Sequence, residues 1–152
     1  MKYIFIILFF FKISDISAQD NLIKKLDMLI TSWHEAASKA DINAYFNLMS
    51  DNSVFIGTDS TEYWTKAEFY LWAKPYFDRG KAWTLKANSR HIYLAANNKF
   101  AWWDELIYTS SGTWIGTGIL EKVGKEWKIR HYTLSVTIPN PKMKAVAELL
   151  KQ

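Results

Sequence analysis

No cysteine occurs among the 152 residues, so disulfides, thiolate metal sites, thiol nucleophiles and a lipid-modified N-terminal cysteine are all excluded. The three histidines, His34, His91 and His131, are far apart and show neither His-x-His nor His-x-x-x-His spacing, so no metal centre is expected. No Gly-x-Ser-x-Gly, phosphate loop or dinucleotide fingerprint is present, and no cofactor is expected. Charge is sparse too. The formal net charge is +4 with no run of five like charges, which gives no nucleic-acid footprint. The first long apolar run, residues 3–11, is too short to span a bilayer.

That run has another reading. Lys2 precedes it and small or polar residues follow, ending at Ser17-Ala18-Gln19. This is the order of a secretory leader over residues 1–18, with cleavage after Ala18 or Gln19; the alternative is an uncleaved anchor. Cleavage removes Lys2, Lys12 and Asp15, leaving a net charge of +3. The mature chain is then expected to be secreted or periplasmic, free of the membrane, and held by its core alone.

What the chain has in quantity is aromatic and apolar surface: 49% of residues are hydrophobic and 16% aromatic, enough for one ordered domain. From Asp20 to Ala40, Leu22, Leu26, Leu29, Trp33 and Ala36 recur at helical steps, flanked by Ile23, Ile30 and Ala37. His34 sits at the edge of that stripe and reads as structural. Asp41 caps a short helix over 42–49, and Ser53–Gly57 reads as a strand. A brief strand over 62–64 precedes a helix that Thr65-Lys66-Ala67-Glu68 opens as a capping box. Pro75 is expected to kink or end that helix, and Gly80 to close it.

From Ala82 the period changes to two. Strands are expected over 83–95, 100–109, 113–122 and 126–137, followed by a short amphipathic helix over 142–151. Helices followed by one curved antiparallel sheet make an α+β fold with the helices on one face.

Gly57, Thr58, Asp59, Glu62 and Trp64 form one recognisable segment. Ala101-Trp102-Trp103-Asp104-Glu105, Gly116-Thr117-Gly118-Ile119-Leu120 and the Gly124–Ile129 turn and strand add to it. Together they resemble the SnoaL-like branch of the nuclear transport factor 2-like superfamily, which includes ketosteroid isomerase. The resemblance spans about residues 22–140 and divides the chain into a leader (1–18), a SnoaL-like domain (19–140) and a C-terminal helix (141–152). It implies a cone-shaped α+β fold, a pocket between helices and sheet, and a homodimer. It carries no specific activity, because the superfamily holds isomerases, dehydratases, hydrolases, cyclases and non-catalytic modules alike.

Turn chemistry assigns faces independently. A three-residue Ser110-Ser111-Gly112 hairpin places Asp104 opposite Gly118, the Gly124-Lys125 turn places Gly118 opposite His131, and Asn97-Asn98 places His91 opposite Asp104. His91, Asp104, Gly118 and His131 then share one row, with Trp102 and Gly116 in the adjoining rows. The expected site is an acid–imidazole pair, Asp104 and His131, across a floor opened by Gly116 and Gly118. Tyr45, Phe55, Glu62, Trp64, Trp72, His91 and Trp102 are expected to surround a small apolar or aromatic ligand. Asp59 reads as a loop former, and Trp33, Trp72, Tyr76 and Trp127 most simply as core, with Trp72 also a candidate ligand contact. Trp103, Glu105 and Ile107 are assigned to the opposite face, as a dimer strip; a bulge in either hairpin would reverse this. If catalytic, the site would use general acid–base chemistry without a cofactor, for proton transfer, isomerisation, cyclisation or hydration. The alternative is a non-catalytic dimerisation or ligand-carrier module.

Overall fold

The computed structural model describes residues 2–151, with side chains from Ser17 onward. The expected leader falls almost wholly outside the described side chains. Among the described residues, no helix is long and apolar enough to cross a membrane.

The elements in order are α1 (Lys2–Ser38), α2 (Ile42–Asn47), β1 (Met49–Ile56), β2 (Tyr63–Thr65), α3 (Lys66–Asp78), β3 (Ala87–Leu94), β4 (Phe100–Thr109), β5 (Gly112–Val123), β6 (Glu126–Val136), a 3-10 turn (Asn140–Lys142) and α4 (Met143–Leu149). Local signals act as read. Asp41 accepts from the Ala44 N–H, and Thr65 and Glu68 complete the capping box. Pro75 does not end α3. The helix runs three residues further, to Arg79 as C-cap and Gly80 at φ +72°.

Six strands form one open, curved sheet in the order β2-β1-β6-β5-β4-β3. It is mixed rather than wholly antiparallel, because β6 returns alongside β1 in the same direction. α1 lays Leu26, Ile30, Trp33 and Ala37, all fully buried, against the inner face, and Phe69, Ala73 and Phe77 of α3 extend the same core. The result is an α+β cone with N-terminal helices on one face of the sheet, the architecture that the resemblance implies.

Two registers differ from expectation. Thr109 pairs with Gly112 around a two-residue Ser110-Ser111 turn, so Asp104 faces Thr117 and Trp103 faces Gly118. A bulge at Arg130 then moves the next pairing by one, setting Gly118 opposite Tyr132 and Ile119 opposite His131. The β3–β4 register is as read, with His91 opposite Asp104 and Arg90 opposite Glu105. β3 begins at Ala87, leaving residues 83–86 outside the ladder.

The face assignment of β4 is reversed. Ala101, Trp103, Glu105 and Ile107 point to the helices and are buried, while Phe100, Trp102, Leu106 and Tyr108 are exposed. Alternation does not decide between these sets, since each is apolar with a single acid. Gly116 and Gly118 do lie on the inner face, but no ligand space opens above them. A Cβ on Gly118 would run into the Trp103 ring, and one on Gly116 into the Tyr132 hydroxyl and the Glu105 carboxylate. The glycines make room for the protein's own side chains. Gly118→Ala is therefore expected to cost about 1–3 kcal/mol through overpacking, read as a lower urea midpoint. An unchanged midpoint would show that Trp103 moves aside freely.

Candidate functional site

The cavity at the mouth of the cone encloses about 190 Å³. It is lined by Phe55 of β1, Trp64 of β2, Phe69 and Trp72 of α3, and Trp83, Leu85, Trp114 and Leu134. The capping box puts α3 directly after β2, so Trp64 meets residues one turn apart on the helix: Phe69 at 5.6 Å and Trp72 at 4.7 Å between ring centroids. Phe55 stacks on Phe69 at 4.0 Å and 16°. Residues 83–86, which lie outside the ladder, add Trp83 and Leu85 to the lining, with the Trp83 ring 5.8 Å from Phe69 and 6.1 Å from Trp72.

Polar groups here are few. Glu62 is the one carboxylate of the lining; it accepts from the Asp59 N–H at 3.2 Å and lies over Gly57. Asp59 is a loop former as read: its carboxylate accepts from the Thr61 N–H and hydroxyl, and those bonds hold its pKa below the ordinary value. The indole N–H of Trp114 is buried and without a partner. Four expected ligand contacts, Phe55, Glu62, Trp64 and Trp72, thus share one pocket. Tyr45 does not join them. It is fully buried, stacked on Trp33 at 4.8 Å, and burial drives its hydroxyl pKa well above the usual value.

The expected catalytic row assembles on the wrong side of the sheet for such a pocket. His91 and Asp104 pair at 2.9 Å, largely exposed on the outer face. His131 lies in the same shallow depression as Tyr93, Trp102, Asp104 and Thr117, and its Nε2 is 3.0 Å from the Thr133 hydroxyl. Burial, then the Arg130 charge, lowers the His131 pKa. Trp102 stacks on Tyr93 at 5.6 Å. Neither Asp104 nor His131 lines the aromatic cavity.

Behind that cavity lies a charged cluster that the sequence reading missed. The Glu105 side chain is fully buried. One carboxylate oxygen accepts from His34 Nε2 at 2.8 Å and the Tyr132 hydroxyl at 2.9 Å, and the other from Arg90 Nε at 2.9 Å and Nη2 at 2.8 Å. Arg90 reaches on to Asp27 at 2.7 Å and the Thr31 hydroxyl at 3.0 Å, tying β3 to α1. Burial pushes the Glu105 pKa up, but hydrogen bonding and charge from His34 and Arg90 outweigh it and hold it at about 2, below the ordinary 4.5. Burial and the adjacent carboxylate raise the Tyr132 pKa well above its usual value. The signal was present: a correct β3–β4 register sets Arg90 directly opposite Glu105.

The matching family model is the SnoaL-like domain, over residues 26–139. The chain belongs to the SnoaL-like domain family. Solved structures agree on the fold of this SnoaL-like domain. An NTF2-like protein of unknown function from Pseudomonas putida superposes with a TM-score of 0.64 at 14% identity, over 77% of this chain and 87% of that one. An NTF2-like protein from Cytophaga hutchinsonii gives 0.61 at 16% identity, over 78% and 98%. A candidate dehydratase of the NTF2-like family from Streptomyces avermitilis gives 0.64 at 11% identity, over 79% and 99%. No curated protein matches the sequence.

The depressed pKa of Glu105 sets a pH dependence. Its contribution to stability is present in full above about pH 4.5, and is lost as pH falls toward 2. The shift corresponds to roughly 3 kcal/mol. Glu105→Gln is expected to lower stability by that order at pH 7 and to flatten the acid limb, so that the two proteins converge near pH 2 in denaturant titrations. Parallel curves would assign the acid limb to other carboxylates.

Proposed function

We propose that this SnoaL-like domain binds one small, planar, largely apolar molecule in the aromatic cavity at the mouth of the cone. The observation that carries the reading is the wall of Phe55, Trp64, Phe69, Trp72, Trp83 and Trp114 around about 190 Å³. An apolar protein cavity of about 150 Å³ accommodates benzene, so this volume suits a ligand of one substituted ring. The unpaired Trp114 N–H favours a ring bearing one hydrogen-bond acceptor. Binding is better supported than acid–base catalysis, because Glu62 is committed to the loop and Asp104 and His131 lie on the outer face, bonded to His91 and Thr133.

Two broader features belong to the same proposal. The leader-like N-terminus supports export. The outer sheet face exposes Tyr93, Trp102, Leu106, Tyr108, Ile115 and Ile119, an apolar surface of the kind monomers seldom present, and this supports a homodimer as the family resemblance implies.

Titration of p-cresol, benzyl alcohol and indole, followed by tryptophan fluorescence and thermal shift, tests the pocket. Saturable binding is expected, weakened at least tenfold by Trp72→Ala and by Trp114→Phe and unaffected by Asp104→Asn or His131→Ala. Binding that ignores Trp72 and Trp114, or that is lost with Asp104, would move the site to the outer face. Sedimentation at micromolar concentration tests the dimer, with Trp102→Glu expected to yield monomers. A wild-type monomer overturns it.

A further inference from the structure

A second concavity lies on the other side of residues 83–86, between α1 and the stretch Thr84–Arg90. It encloses about 470 Å³, within the usual range of about 300–1,000 Å³ for small-molecule sites. Its character is opposite to that of the aromatic cavity, and Leu85 is the one residue they share. Five of its twelve lining residues carry a hydroxyl or amide, Thr31 and Ser38 from α1 and Thr84, Asn88 and Ser89 from the facing segment, beside the ionisable Asp27, His34, Glu35, Lys86 and Arg90.

His34 borders this cleft and is 4% exposed. Its Nε2 is committed to Glu105, and its Nδ1 is buried with no hydrogen-bond partner. Turning the ring over does not relieve this, because it would break the 2.8 Å bond to Glu105. The rings of Trp33 and Tyr132, at 5.1 and 6.0 Å, pack beside it. A buried imidazole nitrogen left unpaired is costly, and the open volume that His34 borders is the cleft.

We propose that this cleft binds an uncharged, polyhydroxylated molecule of monosaccharide size, one hydroxyl of which pairs with His34 Nδ1. The charges on the walls argue for a neutral ligand. The lining holds two carboxylates, Asp27 and Glu35, and two cations, Lys86 and Arg90, so its formal charges cancel, and Asp27, Arg90 and Glu35 already have ion-pair partners. A hydroxyl both donates and accepts, so it satisfies Nδ1 in either protonation state of the ring. Further hydroxyls find complementary groups. The Thr31 oxygen accepts from Arg90 and keeps its O–H to donate; Ser38 donates to the Glu35 carbonyl and keeps its lone pairs to accept. Among the described residues, the side chains of Thr84, Asn88 and Ser89 make no internal hydrogen bonds at all. This site is separate from the aromatic cavity, and either can fail without the other.

The test uses the full chain with ¹⁵N-labelled histidine and backbone, titrated separately with D-xylose, D-glucose, myo-inositol and sodium phosphate up to about 100 mM, a ceiling set for weak binding. At least one polyol is expected to shift the His34 Nδ1 resonance and the amides of residues 31–38 and 84–90 saturably, leaving the Trp72 and Trp114 indole signals in place. The Ser38→Ala/Asn88→Ala double variant, which spares the Glu105 cluster, should weaken that binding at least tenfold with an unchanged melting temperature. Three results would each overturn the proposal: no saturable shift with any polyol, an equal or stronger response to phosphate, or binding indifferent to the double variant.

Discussion

Everything on the inner face of the sheet is arranged around the buried carboxylate of Glu105. Taking a carboxylate out of water costs several kcal/mol, and it is tolerated only where opposite charge and hydrogen bonds surround it. Here the Arg90 guanidinium, His34 and the Tyr132 hydroxyl supply them from three different elements. Because α1, β3 and β6 must all converge on one residue of β4, the cluster also specifies how the helix lies across the sheet. Arg90 continues the connection to Asp27 and Thr31, so the edge strand β3 is tied to α1 by charge as well as by packing.

The same arrangement determines where a ligand can go. Trp103, Tyr132, Trp33 and Tyr45 fill the interior of the cone, and Gly116 and Gly118 are the places where the sheet surrenders side chains to make that filling possible. Open volume is left at the mouth, where α3 meets the end of the sheet, and beside α1, where residues 83–86 leave the ladder before β3 begins. The segment just before β3 therefore borders both an aromatic cavity and a cleft lined by hydroxyl, amide and charged side chains.

Part of the candidate pocket's lining was legible. Phe55, Glu62, Trp64 and Trp72 were placed together from a strand, a loop and a capped helix, all short-range features whose geometry follows from local sequence. The row of His91, Asp104 and His131 was also assembled on one face, but the face was inverted. Period-two alternation specifies which residues point the same way, not which way that is. In β4 both sets are apolar with one acid each, and the choice lay with partners tens of residues distant: His34 and Arg90 for Glu105, nothing comparable for Asp104. The two register shifts, a two-residue turn at Ser110-Ser111 and a bulge at Arg130, were not read either; with them in place Gly118 lies against the Trp103 ring and Gly116 against the Tyr132 hydroxyl.

By itself, then, the amino-acid order determined the elements, their caps, the two outer hairpin registers at His91–Asp104 and Val123–Glu126, the α+β class and the family. Those rest on contacts within a few residues or across a single turn. Tertiary structure alone decided which face of the sheet is interior, because a buried charge is stable only where its counter-charges arrive. It also decided that the glycine floor is filled by tryptophan and tyrosine, because packing at crystal-like density leaves no void that a neighbouring ring can occupy.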